Sequence, residues 1–208
     1  MVDAAAASFA RQSLPAMIAE PASEMAASLP RGGLRRDRRD GALVREAQRG
    51  SAAALEELFR RHWRRAHRAA FLVVGDSVAA EDIAQESFLA AVRALDRFDR
   101  RRPFGPWLHR IAVNRAIDFA RARALRRDRE LAGGSAEPVQ HPEGLGDDLL
   151  AALATLEPEQ RAVVVLRYVL EYTPGEIATM LGLPRGTVNS RLRRGLDRLR
   201  PLVEGDRP

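Results

Sequence analysis

The side chains able to do chemistry in this sequence are mostly charged, and their types set limits at once. There is no cysteine, which removes disulfides, thiolate metal sites and thiol nucleophiles together. The four histidines, His62, His67, His109 and His141, have no spacing that suits zinc, and no set of carboxylates and histidines assembles a recognisable catalytic or metal site. The sequence therefore calls for no catalytic residue, no metal and no cofactor. Lysine is absent, so all 34 basic residues are arginine, against 28 acids and a net charge of +6. A basic stripe on one face attracts phosphate, whereas scattered charge only solubilises. The informative question is where the arginines gather.

They gather in three places. Arg185, Thr187, Ser190, Arg191, Arg194 and Arg198 recur on one side of a helical run near the carboxy terminus. Arg100, Arg101 and Arg102 sit between Phe98 and Phe104, and charge that tracks a backbone beside aromatic faces suits a single strand of nucleic acid. Arg110, Asn114, Ile117 and Arg121 then share a helix face with Arg115 beside it. A fourth group is acidic. Asp82, Gln85 and Glu86 lie at i, i+3 and i+4, which puts them on one helix face turned away from the apolar stripe.

The elements that must carry these groups are helices. Alternation is absent and Ala, Leu, Arg and Glu dominate, so the expected fold class is all-α. Ser51 is a plausible N-cap for a helix with Leu55, Leu58, Phe59, Trp63, Ala66 and Ala70 at core spacing. A second helix opens near Asp76–Ser77 and a third near Pro106, with a short one around residues 42–49 before them. Residues 128–148 contain prolines, glycines and six acids against Arg129 alone, the composition of a flexible acidic linker. Helices resume from Leu149. The expected organisation is a disordered tail (1–40), a first helical domain (41–127), the linker (128–148), a second helical domain (149–203) and a short tail (204–208). No apolar run approaches the ~20 residues that span a bilayer, and the amino terminus reads poorly as a secretory signal. A cytoplasmic protein without membrane insertion is expected.

The second domain holds the clearest local signature, YTPGEIATMLGLPRGTVNSRLRRGLDRLR (172–200). A short helix stops at Gly182, Leu183–Pro184 turns the chain, and a longer helix starts at Arg185 or Gly186, the pattern of a helix-turn-helix. Val188, Leu192, Leu196 and Leu199 are expected to face inward. On the opposite side Arg185 and Arg191 suit bidentate contact with guanine, Thr187 and Ser190 offer hydroxyls, and Arg194 and Arg198 suit phosphates. A solvated basic helix would share the arginines but has no need of the turn framework. Gly195, inside this helix, costs roughly 1 kcal/mol relative to alanine and has no evident use in the sequence.

Residues 81–127 carry D-x-x-Q-E at Asp82–Glu86, A-L-x-x-F at Ala94–Phe98 and F-x-x-W-L-x-R-I-A-x-N at Phe104–Asn114. This segment resembles the second conserved region of extracytoplasmic-function (ECF) sigma factors of the sigma-70 family, and residues 153–194 resemble the fourth. The resemblance covers about 41–203 in the correct order. It implies a non-enzymatic initiation factor, in a stress or envelope response, that directs RNA polymerase to promoters and promotes DNA melting. It implies that Asp82, Gln85 and Glu86 dock on the clamp of the largest subunit of core RNA polymerase, with a further contact on the flap of the second-largest. Arg100–Arg102, Arg110, Asn114, Arg115 and Arg121 would hold the melted minus-10 promoter DNA, and the carboxy-terminal helix would read the minus-35 element. An anti-sigma factor is the further expected partner, and the linker would thread toward the RNA exit channel. Asn189 departs from the family, where that position is often basic. The competing reading is a stand-alone helix-turn-helix regulator, which would need a receiver or ligand domain that the first half does not offer.

Overall fold

The computed structural model describes residues 40–131 and 147–204. They form α1 (Asp40–Gln48), α2 (Ala52–Val74), α3 (Ser77–Ala94), a 3-10 turn (Leu95–Arg97), α4 (Phe104–Leu131), α5 (Asp147–Ala154), α6 (Pro158–Tyr168), α7 (Pro174–Leu181) and α8 (Arg185–Glu204). No strand occurs among the described residues, as the composition leads one to expect.

Helix boundaries follow from local chemistry. The Ser51 hydroxyl accepts from the Ala54 amide (3.3 Å) and the Asp76 carboxylate from the Ala79 amide (3.0 Å), so α2 and α3 start where the capping residues stand. Gly75 ends α2 at φ 71°, a left-handed value that a Cβ would strain. The third long helix starts at Phe104, two residues ahead of the Pro106 that signals it in sequence. At the other end α4 runs on to Leu131, and α5 begins at Asp147. Both ends of the expected 128–148 linker are thus helical, because Ala, Leu and Arg up to residue 127 hand a good helix on to residues without a breaker. The middle of that linker, 132–146, lies outside the described residues, as does the tail before Asp40.

Asp40, expected in the tail, is part of the fold. It is 2 % exposed and its carboxylate meets His62 Nε2 at 2.7 Å and Arg61 at 3.1 Å. A buried carboxylate needs such partners, and here they tie α1 to α2.

Two cores result. One lies between α1, the first part of α2, the end of α3 and the start of α4, around Leu55, Leu58, Phe59, Phe88, Leu95, Phe104 and Leu108. The other joins the two helical domains. The last turns of α2 (Ala69–Val74) and the middle of α4 (Val113, Ala116, Ile117) pack directly against Leu150, Leu153, Leu156, Val163, Leu166 and Tyr172 of the second domain. Sequence reasoning gives each domain its own core and a hinge between them. The structure adds that they are packed together through a continuous apolar seam.

The inward row of α8 also differs from expectation. Val188 and Leu192 are buried and Leu199 is half-buried, but Leu196 is 36 % exposed. Gly195 takes the inward place. A Cβ built on it would stand 3.0 Å from a methyl of Val164 on α6, so the glycine lets the two helices approach closely. Val164 is β-branched and held in one rotamer by its own helix, so it cannot easily move aside.

We expect Gly195→Ala to gain helix propensity and lose more to overpacking, a net loss of about 1 kcal/mol that lowers Tm by about 2–4 °C. Thermal unfolding checks this. Adding Val164→Ala should restore tolerance of the alanine, and a Tm raised by Gly195→Ala alone would contradict the packing argument.

Candidate nucleic-acid interface

The helix-turn-helix is built by caps at both of its critical points. Thr173 and Glu176 form a reciprocal capping box, with the Glu176 carboxylate 2.7 Å from the Thr173 amide and the Thr173 hydroxyl 3.3 Å from the Glu176 amide. Gly182 closes α7 at φ 65°, and Val188 and Leu192 anchor α8 in the core. The basic side then divides. Arg185, Arg194 and Arg198 are exposed, as is Asn189. Thr187 is half-buried, and the Ser190 hydroxyl donates to the Thr187 carbonyl (3.0 Å), leaving its oxygen lone pairs for a donor. Arg191 is half-buried on the flank that faces α6. With Gly195 rather than Leu196 inward, the outer face turns toward Arg193, an exposed arginine that sequence reasoning missed; the glycine itself was the signal. Asp197, also exposed, lies on that face as its one acid between Arg193 and Arg200.

The first domain presents the other groups. A turn after Phe98 is fixed by Asp99, whose carboxylate accepts from the Arg101 amide (3.0 Å) while its carbonyl accepts from the Arg102 amide (2.9 Å). Gln48 of α1 holds the base of this loop, donating to the carbonyls of Leu95 (2.8 Å) and Phe98 (3.2 Å). Arg100, Arg101 and Arg102 therefore point to solvent, with no carboxylate partner among the described residues. Beneath them Phe98, Phe104 and Trp107 form one aromatic cluster, with ring centroids 4.5–6.0 Å apart. Phe98 and Phe104 are buried and Trp107 half-buried.

Along α4, Arg110 and Asn114 are exposed one turn apart. Ile117 does not continue that face, because it is 7 % exposed and sits in the seam core. Arg115 donates to Glu86 of α3 at 2.7 Å, so one candidate DNA contact is ion-paired to one candidate docking acid. Of the acidic group, Asp82 and Glu86 are exposed, while Gln85 is half-buried and donates to Glu81 (3.2 Å). Glu81 extends that group and went unremarked in sequence, since it precedes the motif. Arg121 is paired with Glu159 of α6 through Nε (2.6 Å).

Two family models match in chain order. Residues 58–126 match Sigma-70 region 2 and residues 146–199 match Sigma-70, region 4. The ECF RNA polymerase sigma factor SigM of Mycobacterium tuberculosis is 36 % identical over 177 residues, 82 % of this chain and 88 % of that protein. This chain belongs to the sigma-70 family, as an ECF sigma factor. SigE of Mycolicibacterium smegmatis, another ECF sigma factor, is 37 % identical over 166 residues, 74 % of this chain and 64 % of that longer protein. The solved structure of the sigma factor RpoE of Bartonella quintana, in complex with the anti-sigma factor NepR, superposes with a TM-score of 0.61 at 25 % identity, covering 73 % of this chain and 98 % of that one. Family membership over both domains displaces the stand-alone regulator.

In this sigma factor the seam between regions 2 and 4 carries polar ties as well as apolar contacts. Arg161 of α6 donates to the Val73 carbonyl at the end of α2 (2.8 Å) and to the carbonyls of Ala154 and Leu156 (3.0 Å each). His109 of α4 meets the Tyr172 hydroxyl at 2.7 Å and is 1 % exposed. Burial, reinforced by the neighbouring charges of His62 and Arg65, holds His109 well below the ordinary imidazole value of 6.5. Burial lowers His67 as well. The unfolded chain takes up these protons more readily than the folded one. Stability is therefore fully present above pH 6.5 and declines as the pH falls below it.

Between pH 6.5 and 5.5 the unfolding free energy should drop with a slope of at most about 1.4 kcal/mol per pH unit for each such site. Urea midpoints across that range measure it. His109→Gln should flatten the slope, and an unchanged slope would assign the proton elsewhere.

Proposed function

We propose that this sigma factor docks on core RNA polymerase through Asp82, Gln85 and Glu86, reads the minus-35 element with α8, and holds melted minus-10 DNA on the arginine loop and α4. One observation carries the reading: the Asp99 turn holds Arg100–Arg102 outward, uncompensated, above an aromatic cluster and beside exposed Arg110 and Asn114. Cationic side chains that track phosphates over an aromatic shelf are what an unpaired strand requires. On α8, Arg185 and Arg191 are the guanine readers, with Thr187, Ser190, Arg194 and Arg198 contributing hydroxyl and phosphate contacts. The acidic face of α3 adjoins the DNA-contacting surface of α4 through the Arg115–Glu86 pair, and an arginine-rich partner helix would complement its acids. The protein acts in the cytoplasm, where polymerase is; among the described residues no helix is long and apolar enough to cross a membrane. Like RpoE of Bartonella quintana, which is solved with its anti-sigma factor, it would be held in reserve by an anti-sigma partner.

Three variants separate the roles. Asp82→Arg should abolish co-purification with core polymerase at unchanged helicity. Replacing Arg100, Arg101 and Arg102 with alanine should preserve holoenzyme assembly and upstream binding while removing permanganate reactivity of melted thymines. Arg185→Ala should cost about 1–3 kcal/mol at one upstream base pair and relax specificity there. Normal opening on linear templates by the loop variant would contradict the assignment of the loop.

A further inference from the structure

A cavity of about 380 Å³ opens where the end of α2, the later turns of α4, α5 and the start of α6 meet, so both helical domains line it. Its wall is partly apolar, with Leu72 of α2 and Leu153 of α5 both buried there. Its cations are all arginine. Arg123 and Arg127 of α4 and Arg161 of α6 line it, against Glu157 as the one acid among the lining residues. These charges are poorly neutralised. Arg161 commits its terminal nitrogens to three carbonyls, its Nε is buried without an acceptor, and it makes no ion pair among the described residues. Burial and then the charge of Arg127 hold the Arg161 pKa below its usual value, and Glu157 alone acts the other way. Arg127 is exposed, with no side-chain hydrogen bond or ion pair among the described residues. Arg123 is partly neutralised by Asp76, at 3.2 Å. Arg123 and Arg127 also stand at i and i+4 on α4, a like-charge spacing that by itself destabilises a helix.

We propose that this cavity binds a small-molecule diphosphate, its two phosphoryl groups held by Arg123 and Arg127, with Arg161 adding a fixed positive charge. Two guanidinium forks one turn apart can each take one phosphoryl group in a bidentate pair. A monophosphate would satisfy only one of them. The volume lies in the range of small-molecule sites, and the apolar wall leaves room for the organic part of a diphosphate ester. A recess between two domains admits such a molecule and excludes a duplex, whose rod cannot enter it. Partial desolvation by the leucines strengthens the attraction of the arginines for an anion. The inference is independent of the DNA-contacting and docking assignments, because it uses none of their residues. Both domains supply the walls, so a bound diphosphate would add to the cohesion of the seam.

The probe is inorganic pyrophosphate, titrated calorimetrically into the full chain at about 0.15 M salt, where diffuse attraction is screened. One saturable site per chain is expected, with orthophosphate at least about tenfold weaker. Arg127→Gln and Arg123→Gln should each weaken pyrophosphate by about tenfold or more. Arg126→Gln removes the same charge one residue away, at an exposed position that does not line the cavity, and should leave the affinity unchanged. Arg126 and Arg127 are both exposed, so the fold depends on neither and their comparison stands even if Arg123→Gln loosens the Asp76 cap. Saturating pyrophosphate should raise Tm of the unsubstituted chain and leave that of Arg127→Gln unmoved, since only a native-state ligand stabilises. A short random-sequence DNA duplex should not displace the pyrophosphate. Displacement would make these arginines a nucleic-acid contact and overturn the small-molecule site. The site is equally overturned by a lack of saturable binding, by equal affinity for orthophosphate, or by equal weakening in Arg126→Gln and Arg127→Gln, which would leave net charge as the cause.

Discussion

The structure depends on α6 having no solvent face through its middle. Ala162, Val163, Val164, Val165 and Leu166 are all buried in succession, although a surface helix would expose two of any such five. The run is enclosed because α2, α4, α7 and α8 pack around it. Each valine or leucine so buried is worth about 1.5–3 kcal/mol, and part of that gain comes from region 2 rather than region 4. The core of the carboxy-terminal domain and the seam between domains are therefore the same object. This is why Arg161, on the one flank of α6 left polar, can reach back to a carbonyl of α2.

Much of the fold was legible because it is written in local chemistry. Ser51, Asp76, Thr173 and Gly182 act through atoms one turn away, so the sequence around them contains all the information needed. The acidic face of α3 was legible for the same reason, as was the outward turn of the arginine loop. What escaped depends on distant partners. Leu196 and Gly195 exchange expected places because of Val164, thirty-one residues earlier. Ile117 leaves the proposed DNA face because region 4 supplies a core for it to enter. Asp40 looks like the end of a polar tail until His62 and Arg61 are brought beside it. The pairing of Arg115 with Glu86 and of Arg121 with Glu159 could not be read from spacing at all.

Those two pairs change how the charge count should be understood. Thirty-four arginines against 28 acids suggests a weakly basic protein with cations to spare. In the packed chain, part of that basic complement is held by internal carboxylates, while the loop has no carboxylate partner among the described residues and the outer face of α8 carries Asp197 as its one acid. Arginine suits both tasks, since a guanidinium keeps its charge when half-buried and its fork can serve several acceptors at once. Arg161 donates to three carbonyls from a single side chain, which the compact ammonium of lysine would not match in this geometry.

The Gln48 side chain, described above as the anchor of the arginine loop, has a kinetic meaning. By donating to the carbonyls of both Leu95 and Phe98 it fixes the backbone where the loop leaves the helical domain, and Asp99 fixes the turn that follows. On the reading proposed above, capturing a strand would order three arginine side chains but little main chain. The conformational entropy lost at encounter is correspondingly small. A loop organised beforehand discriminates between sequences chiefly through how long each one stays, because the step of arrival is nearly the same for all of them.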